Sequence, residues 1–423
     1  MYIKKKLRII CILMFQQLHS YRFLDYEIIG DHKYMQDWII QFFDVHVSRL
    51  GTHSSKWDRP NQDKVLPFSV ADMDFYSPPA VINSLSNNIR HGVFGYHYVP
   101  EDYFKSIIEW FSRRHNYNIL REWLVCASGV DVSISTIIKS ISSEGDEIII
   151  QEPVYNMFAS CIESSGRTAM INNLIYRDNK YYIDFEELEI MAARESCKAM
   201  LFCSPHNPIG RVWSEDEISQ LGNICARHGV IVISDESHCD IIWGGNKHIP
   251  FSKPKGNIQC SSVVCFSPSK SFNISGVKQG VMIISNAHLR EKIKDSLKND
   301  FANDISIFAI SSLIAAYNDS EWWLESVKDY IYRNYKLFRK YIFRYLPKCK
   351  VVELQGTYLV WVDISKTGFN SNQILELLSN KVGIIVNSGS IYGKSGEGFI
   401  RVNLACKYSM LKEAIRRLKY MDF

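Results

Sequence analysis

No cysteine in this 423-residue sequence sits in a C-x-x-C pair or at a Cys/His ligand spacing, so neither a zinc site nor a thioredoxin-like dithiol is indicated. The eleven thiols are odd in number and scattered, which fits a reducing cytosol better than a disulfide framework. Strong charge is lacking too. A formal +4 is small for this length, and no basic stripe interleaves with aromatics, so nucleic acid is not the expected partner. Internal repeats and low-complexity linkers are missing. So is a long hydrophobic run: Ile9–Phe15, behind Lys4, Lys5, Lys6 and Arg8, has the charge order of a signal peptide but is far too short to span a bilayer. Gln16-Gln17-Leu18-His19-Ser20 follows it, without a small-x-small cleavage site. Residues 1–41 therefore read as a dispensable extension, with Met35 as an alternative start, on a cytoplasmic protein without a membrane partner.

What is present is a large apolar complement. Hydrophobic residues make up 46% of the chain, enough for a substantial core in a large domain plus a smaller one. Apolar runs at Glu147–Ile150, Ala199–Cys203, Val230–Ser234, Val263–Phe266 and Val281–Ile284 predict strands. Helix-like stretches at Val132–Ile141, Phe185–Ala193, Glu215–His228 and His288–Lys298 alternate with them. This order implies an α/β fold with a mostly parallel sheet covered on both faces. From Ile305 to Tyr345 the pattern is helical, with a break expected at Asn318-Asp319. Strand-like Thr357–Val362 and Phe399–Val402, helical Gln373–Leu378, short apolar Ile384–Val386 and a helix from Ser409 then suggest a smaller α+β domain. A ligand is expected between the domains, near the carboxyl ends of the parallel strands.

Chemistry-bearing residues gather just after those strands. Ser267-Pro268-Ser269-Lys270-Ser271-Phe272-Asn273 puts one lysine among hydroxyl residues at a strand end, where burial disfavours its charged form and frees the amine as a nucleophile. That is the layout of a Schiff-base lysine for pyridoxal 5'-phosphate, with Ser267, Ser269 and Lys278 placed to meet a phosphate. Alone, the string also reads as a polar turn with an exposed lysine. Asp235, after Val230–Ser234, suits a pyridine nitrogen, which a carboxylate keeps protonated; a helix cap is the plainer reading. Asn207, in the rigid loop Ser204-Pro205-His206-Asn207-Pro208-Ile209-Gly210, could bond a phenolic oxygen or simply precede a proline in a turn. Ser128-Gly129-Val130 opens a helix whose free amides suit a phosphate, although many helices begin after Ser-Gly. Tyr155 could stack on a ring or belong to the core. Arg401, on the apolar strand Phe399–Val402, offers a planar fork for a substrate carboxylate or a structural salt bridge.

Taken in order, these segments resemble a fold-type I pyridoxal phosphate enzyme of the class I/II aminotransferase family, and within it the cystathionine β-lyase or C–S lyase subgroup of the MalY/PatB type. The resemblance runs from about Phe43 to the C-terminus and is marked further by Lys56-Trp57-Asp58, Val70-Ala71-Asp72-Met73-Asp74-Phe75, Gly92–Tyr96 and Gly356-Thr357-Tyr358-Leu359. It implies an N-terminal arm with part of the small domain at 42–85, a large cofactor-binding domain at 86–320 and a small domain at 321–423. It implies that Lys270 binds the cofactor covalently, Asp235 meets the ring nitrogen, Tyr155 stacks, Asn207 contacts the phenolic oxygen and Arg401 holds the substrate carboxylate. Tyr96 would reach the phosphate of a neighbouring subunit, so a homodimer with shared active sites is implied, and Asp72 and Met73 would border substrate access. Three positions depart from the family pattern. Lys278 stands for a phosphate-binding arginine and loses the fork; His238 replaces a tyrosine found outside the subgroup; Asp131 puts a carboxylate where the subgroup has an apolar residue.

The activity implied is β-elimination from cystathionine or related L-cysteine S-conjugates, giving a thiol, pyruvate and ammonia, with Lys270 as the base that removes the α-proton. An aminotransferase would use every residue named. A regulatory protein on the same scaffold is a further alternative, since fold does not fix function.

Overall fold

The apolar strand sequences become one twisted sheet whose carboxyl edge carries the site. The computed structural model describes residues 42–58, 65–419 and 421, and the expectations for residues 1–41 lie outside them. Seven strands, β1 (Leu124–Ala127), β2 (Glu147–Ile150), β3 (Thr168–Ile171), β4 (Cys197–Cys203), β5 (Ile231–Asp235), β6 (Ser262–Phe266) and β7 (Gly280–Ile283), form the sheet in the order β1-β7-β6-β5-β4-β2-β3. Pairings β6–β5–β4–β2–β3 are parallel, while β7 runs antiparallel to both β6 and β1. The antiparallel strand turns its amino end, rather than its carboxyl end, toward the site. Ile148, Ile149, Leu201, Ile233, Val263 and Val264 are buried, as strands covered on both faces require.

The mostly parallel α/β sheet matches the expectation, and its differences are local. The helix Val130–Ile141 starts two residues earlier than the apolar pattern suggests, so Gly129 is its N-terminal cap and Val130 its first residue. The helical stretch breaks at Ser320 rather than at Asn318-Asp319, which stay inside Ile307–Asp319. The Ser320 hydroxyl donates to the Ala315 carbonyl at 2.9 Å and satisfies the end of that helix. Two strands, β1 (Leu124–Ala127) and β3 (Thr168–Ile171), are additional to those expected: each mixes small or polar residues with one or two large apolar ones, and neither forms the apolar run that marks β2.

A second sheet, all antiparallel, is built from β8 (Lys350–Val351), β9 (Leu359–Asp363), β10 (Asn387–Ser388) and β11 (Phe399–Asn403) in the order β8-β9-β11-β10. Its register sets Arg401 opposite both Trp361 and Asn387. Between the sheets runs an irregular strap, Ser69–Phe75. Arg401 holds the Ser69 carbonyl at 2.6 Å, Asn403 holds those of Val70 at 2.5 Å and Asp72 at 2.7 Å, and Asn273 holds those of Met73 at 3.1 Å and Phe75 at 2.7 Å. Asp74 within it accepts from Lys56 at 2.8 Å, Trp57 at 2.8 Å and Arg49 at 2.9 Å, which explains why the Lys56-Trp57 and Asp72-Met73-Asp74 motifs occur together. No helix among the described residues is long and apolar enough to cross a membrane.

Gly280 is where the sheet meets the first turn of the helix Val130–Ile141. A Cβ there would stand 2.6 Å from the Gly129 carbonyl carbon and 2.9 Å from the Val130 nitrogen, both backbone atoms that cannot swing aside. Gly280→Ala is expected to destabilise the fold by about 1–3 kcal/mol through overpacking. A lower urea midpoint at unchanged m-value checks it.

Candidate active site

Parallel register brings three strand ends level: Cys203, Asp235 and Cys265 are direct neighbours across β4, β5 and β6. The residues that follow these ends therefore converge. Asp235, the last residue of β5, accepts at Oδ1 from the Ser237 amide at 3.0 Å and hydroxyl at 2.6 Å, which leaves Oδ2 for another donor. Burial pushes its carboxyl up to about 6 against these two bonds. Lys270, beyond β6, donates from Nζ to the Ala71 carbonyl at 2.8 Å. Burial lowers its pKa most, Arg401 adds to that effect, and Asp72 and Asp235 oppose it, so the neutral amine is favoured relative to an exposed lysine.

Arg401 is buried, and among the described residues no carboxylate pairs with it. Its Nη1 donates to Asn207 Oδ1 at 3.0 Å and its Nη2 to the Ser69 carbonyl, while Nε is buried without a partner. Tyr392 lies under the guanidinium at 5.0 Å, and burial pulls the Arg401 pKa below its ordinary value. Such a group costs free energy unless a ligand completes it. Because Asn207 Oδ1 accepts from Arg401, the amide nitrogen is the donor that Asn207 has left; Lys270, Asp235, Tyr155 and Arg401, each within electrostatic reach of another, mark out one chamber. Tyr155 is half-buried beside Asp235, and burial raises its phenol well above the usual range. His238 is buried, has an unpartnered Nδ1 and is pushed down to about 3 by burial, Lys270 and Arg401, so its ring is neutral.

An anion cradle borders this chamber. The helix Val130–Ile141 has no side-chain cap, and its first internal bond is donated by the Ser133 amide, so the amides of the first turn after Ser128-Gly129 remain open. Ser267 and Ser269 share a 2.7 Å hydroxyl bond at the start of the lysine loop. Lys278 is exposed, with φ +54°, two residues before Gly280. Open amides, two hydroxyls and a lysine fit a phosphate, and a carboxylate oxygen and a guanidinium that no charged group pairs among the described residues, with an amine whose pKa burial lowers, fit the remainder of pyridoxal phosphate with an amino-acid substrate. Asp131 does not turn its charge away. It is exposed on the first turn, yet its field reaches Asp235, Tyr155 and Lys270.

Other candidates lie differently. Asp72 is bound to Arg49 at 2.5 Å and to Lys56 at 3.6 Å. Met73 is buried, with its amide bonded to Asn273 at 3.0 Å. Tyr96 is fully exposed and within this chain stands apart from the chamber. Several contributors escape a reading by motif. Tyr358 donates to Ala71 beside Lys270, at 2.9 Å. Glu236, next to Asp235, is buried and accepts from His248 at 2.7 Å, the Phe251 amide at 2.7 Å and Ser234 at 3.0 Å. Asp240 accepts from Ser271, next to Lys270, at 2.8 Å, and from Trp110 and His115, both at 3.1 Å. The available signal for these was density of acids and histidines around 235–248, which does not reveal partners.

Comparison with known proteins follows this geometry. Residues 63–418 match the family model described as aminotransferase class I and II. The chain is 35% identical over 381 residues to cystathionine beta-lyase PatB of Bacillus subtilis (strain 168), covering 89% of this chain and 98% of that protein. It is 33% identical over 383 residues to protein MalY of Escherichia coli (strain K12), covering 89% and 97%. The crystal structure of cystalysin from Treponema denticola, which contains a pyridoxal 5'-phosphate cofactor, superposes with a TM-score of 0.86 at 31% identity, over 89% of this chain and 97% of that one.

Raising the Asp235 pKa from its ordinary 3.8 to about 6 has a thermodynamic consequence for the cofactor-free protein. Between those pH values the folded state keeps a proton that the unfolded chain has released, so stability falls as pH rises through the window, by at most ~3 kcal/mol. Asp235→Asn is expected to remove that decline. Urea denaturation of both cofactor-free proteins at about pH 4 and about pH 7 measures it.

Proposed function

The chain belongs to the aminotransferase class I and II family, and from that membership we propose a pyridoxal phosphate-dependent C–S lyase that acts on cystathionine or related L-cysteine S-conjugates. Its products are a thiol, pyruvate and ammonia. The observation that carries the reading is Arg401: a buried guanidinium, without an acid among the described residues, in the same chamber as a lysine whose neutral form is favoured. An α-carboxylate supplies the missing charge, and the bound amino acid then presents Cα to Lys270.

When bound, pyridoxal phosphate supplies a carbonyl that condenses with amines and a ring that accepts the electron pair left at the substrate Cα. The protein's part begins with Arg401, which holds the carboxylate, and Asn207, which orients the Arg401 fork and has an amide donor left for a phenolic oxygen. Lys270 Nζ takes the α-proton, because burial favours its free base. Asp235 would hold the ring nitrogen in its protonated form, a cation that would draw the carboxyl's raised pKa back down. Tyr155 offers its half-buried face for stacking, and the neutral His238 adds no competing cation near Lys270. Gly129 and Val130 amides, with Ser128, Ser267, Ser269 and Lys278, would hold the phosphate, and Asp72 and Met73 would border substrate entry. The thiolate leaves Cβ as the Cα electron pair forms a Cα–Cβ double bond. Hydrolysis of the released enamine gives pyruvate and ammonia.

The loop around Tyr96 is the proposed contact with a second copy. Val93, Phe94, Tyr96 and Tyr98 are all exposed without regular structure, an apolar patch that water does not favour. A homodimer covers it and delivers Tyr96 to the phosphate of the other copy. A cytosolic location accords with the described cysteines, all of them free.

Incubation with cystathionine is expected to yield pyruvate and free thiol without added 2-oxoglutarate, and Lys270→Ala is expected to lower the rate by ~10⁴-fold. A strict requirement for the keto acid points to an aminotransferase instead, and pyruvate formation retained by Lys270→Ala points to a different reaction. Light scattering is expected to give twice the 49.0 kDa chain mass, with Phe94→Asp shifting the protein toward monomer.

A further inference from the structure

The Ala71 carbonyl oxygen is the acceptor for two donors, the Lys270 amine at 2.8 Å and the Tyr358 phenol at 2.9 Å. A carbonyl has two lone pairs, so both bonds persist together. Tyr358 is buried, and burial raises its phenol far above the usual range, so the group stays a donor and does not compete for the proton that Lys270 takes. Its ring meets that of His238 edge-on at 5.7 Å and 73°.

The backbone before Tyr358 is held in an unfavourable shape. Thr357 adopts φ +66°, a region that β-branched residues avoid. Its amide donates to Ile241 at 2.8 Å, its carbonyl accepts from Trp243 at 2.5 Å, and its hydroxyl is bonded within 357–359. Gly356 is packed so closely that a Cβ would stand 2.9 Å from Pro205 and Val212. Strain sustained by this many contacts marks a side chain whose placement matters. Ala71 is equally fixed, because Asn403 holds the carbonyls on either side of it.

We infer that Tyr358 is a positioning residue for proton transfer at Lys270. By occupying one lone pair of Ala71 from a fixed direction, it sets the plane of that peptide and leaves the other lone pair aimed at Nζ. One amine hydrogen is thereby committed, and the nitrogen lone pair is directed away from the strap into the chamber where Cα arrives. In the step itself the Cα–H bond breaks, its electron pair stays with the carbon framework, and the proton forms a new N–H bond on Lys270. The resulting ammonium binds Ala71 more tightly, as a charged donor does. This assignment rests on the reading above only in taking Lys270 as the base.

The test follows the α-proton alone. L-Alanine has no leaving group on Cβ, so its exchange of Cα–H in deuterated buffer, followed by NMR, reports the step at Lys270 whatever is eliminated from other substrates. Tyr358→Phe keeps the ring against His238 and removes only the hydroxyl. With cofactor content by absorbance and melting temperature close to wild type, its exchange rate is expected to fall about tenfold, the scale of one lost hydrogen bond. The primary isotope effect on kcat with Cα-deuterated substrate is expected to rise, with KM changed less than twofold. Tyr358→Leu is expected to lose exchange to the same extent and to melt lower. Wild-type exchange per bound cofactor in Tyr358→Phe overturns the inference, as does a loss confined to KM or cofactor content. Exchange by the wild type without pyruvate from cystathionine overturns the lyase reading and leaves this one standing; pyruvate from cystathionine without wild-type exchange leaves the lyase reading standing and overturns this one.

Discussion

A guanidinium buried without a carboxylate among the described residues is the constraint on which the site's arrangement depends. Arg401 cannot shed its proton to escape the cost of desolvation, so its surroundings must supply dipoles. Asn207 comes from the loop after β4, the Ser69 carbonyl from the strap, and Tyr392 from the segment after β10. Each of these elements contributes one dipole or ring to that one group. Among the described residues the arrangement lacks an anion, and the proposed α-carboxylate is one that would complete it.

The strap Ser69–Phe75 turns this local demand into a shared frame for both sheets. Its carbonyls are taken by Arg401 and Asn403 from β11 on one side, and by Lys270 and Asn273 from the lysine loop on the other. Separation between Arg401 and Lys270 is therefore tied to main-chain geometry, since each bonds a carbonyl of the same strap. Beneath the sheet edge, Glu236 and Asp240 are buried acids whose oxygens are used by His248, His115, Trp110 and Ser271. They tie down the immediate neighbours of Asp235 and Lys270, and satisfied buried networks of this kind give rigidity.

Charge around the phosphate cradle is balanced less generously. Lys278 brings one positive charge without the fork of an arginine, and it lies exposed. Asp131 brings a negative field to the same rim, felt by Asp235 and Lys270. The open amides of the Val130–Ile141 helix therefore contribute a proportionally larger share of the attraction for an anion.

The apolar runs at 147–150, 199–203 and 263–266, with short polar loops directly behind them, already determined a mostly parallel sheet and a gathering of Lys270, Asp235, Asn207, Tyr155 and Gly129 at one edge. They did so because strand periodicity and strand-end loops are local properties, visible within a few residues. Ala71, Tyr358 and Asn273 stand in recognisable motifs, but their bonds, like the Glu236–His248 pair, were not legible, since a carbonyl has no identity in a sequence and the partners of Ala71 lie 199 and 287 residues away. The sequence by itself determined which groups stand at the rim. Only the tertiary structure decided which of them share an acceptor and which charge is left without a partner, because those facts depend on the convergence of distant segments that no periodicity records.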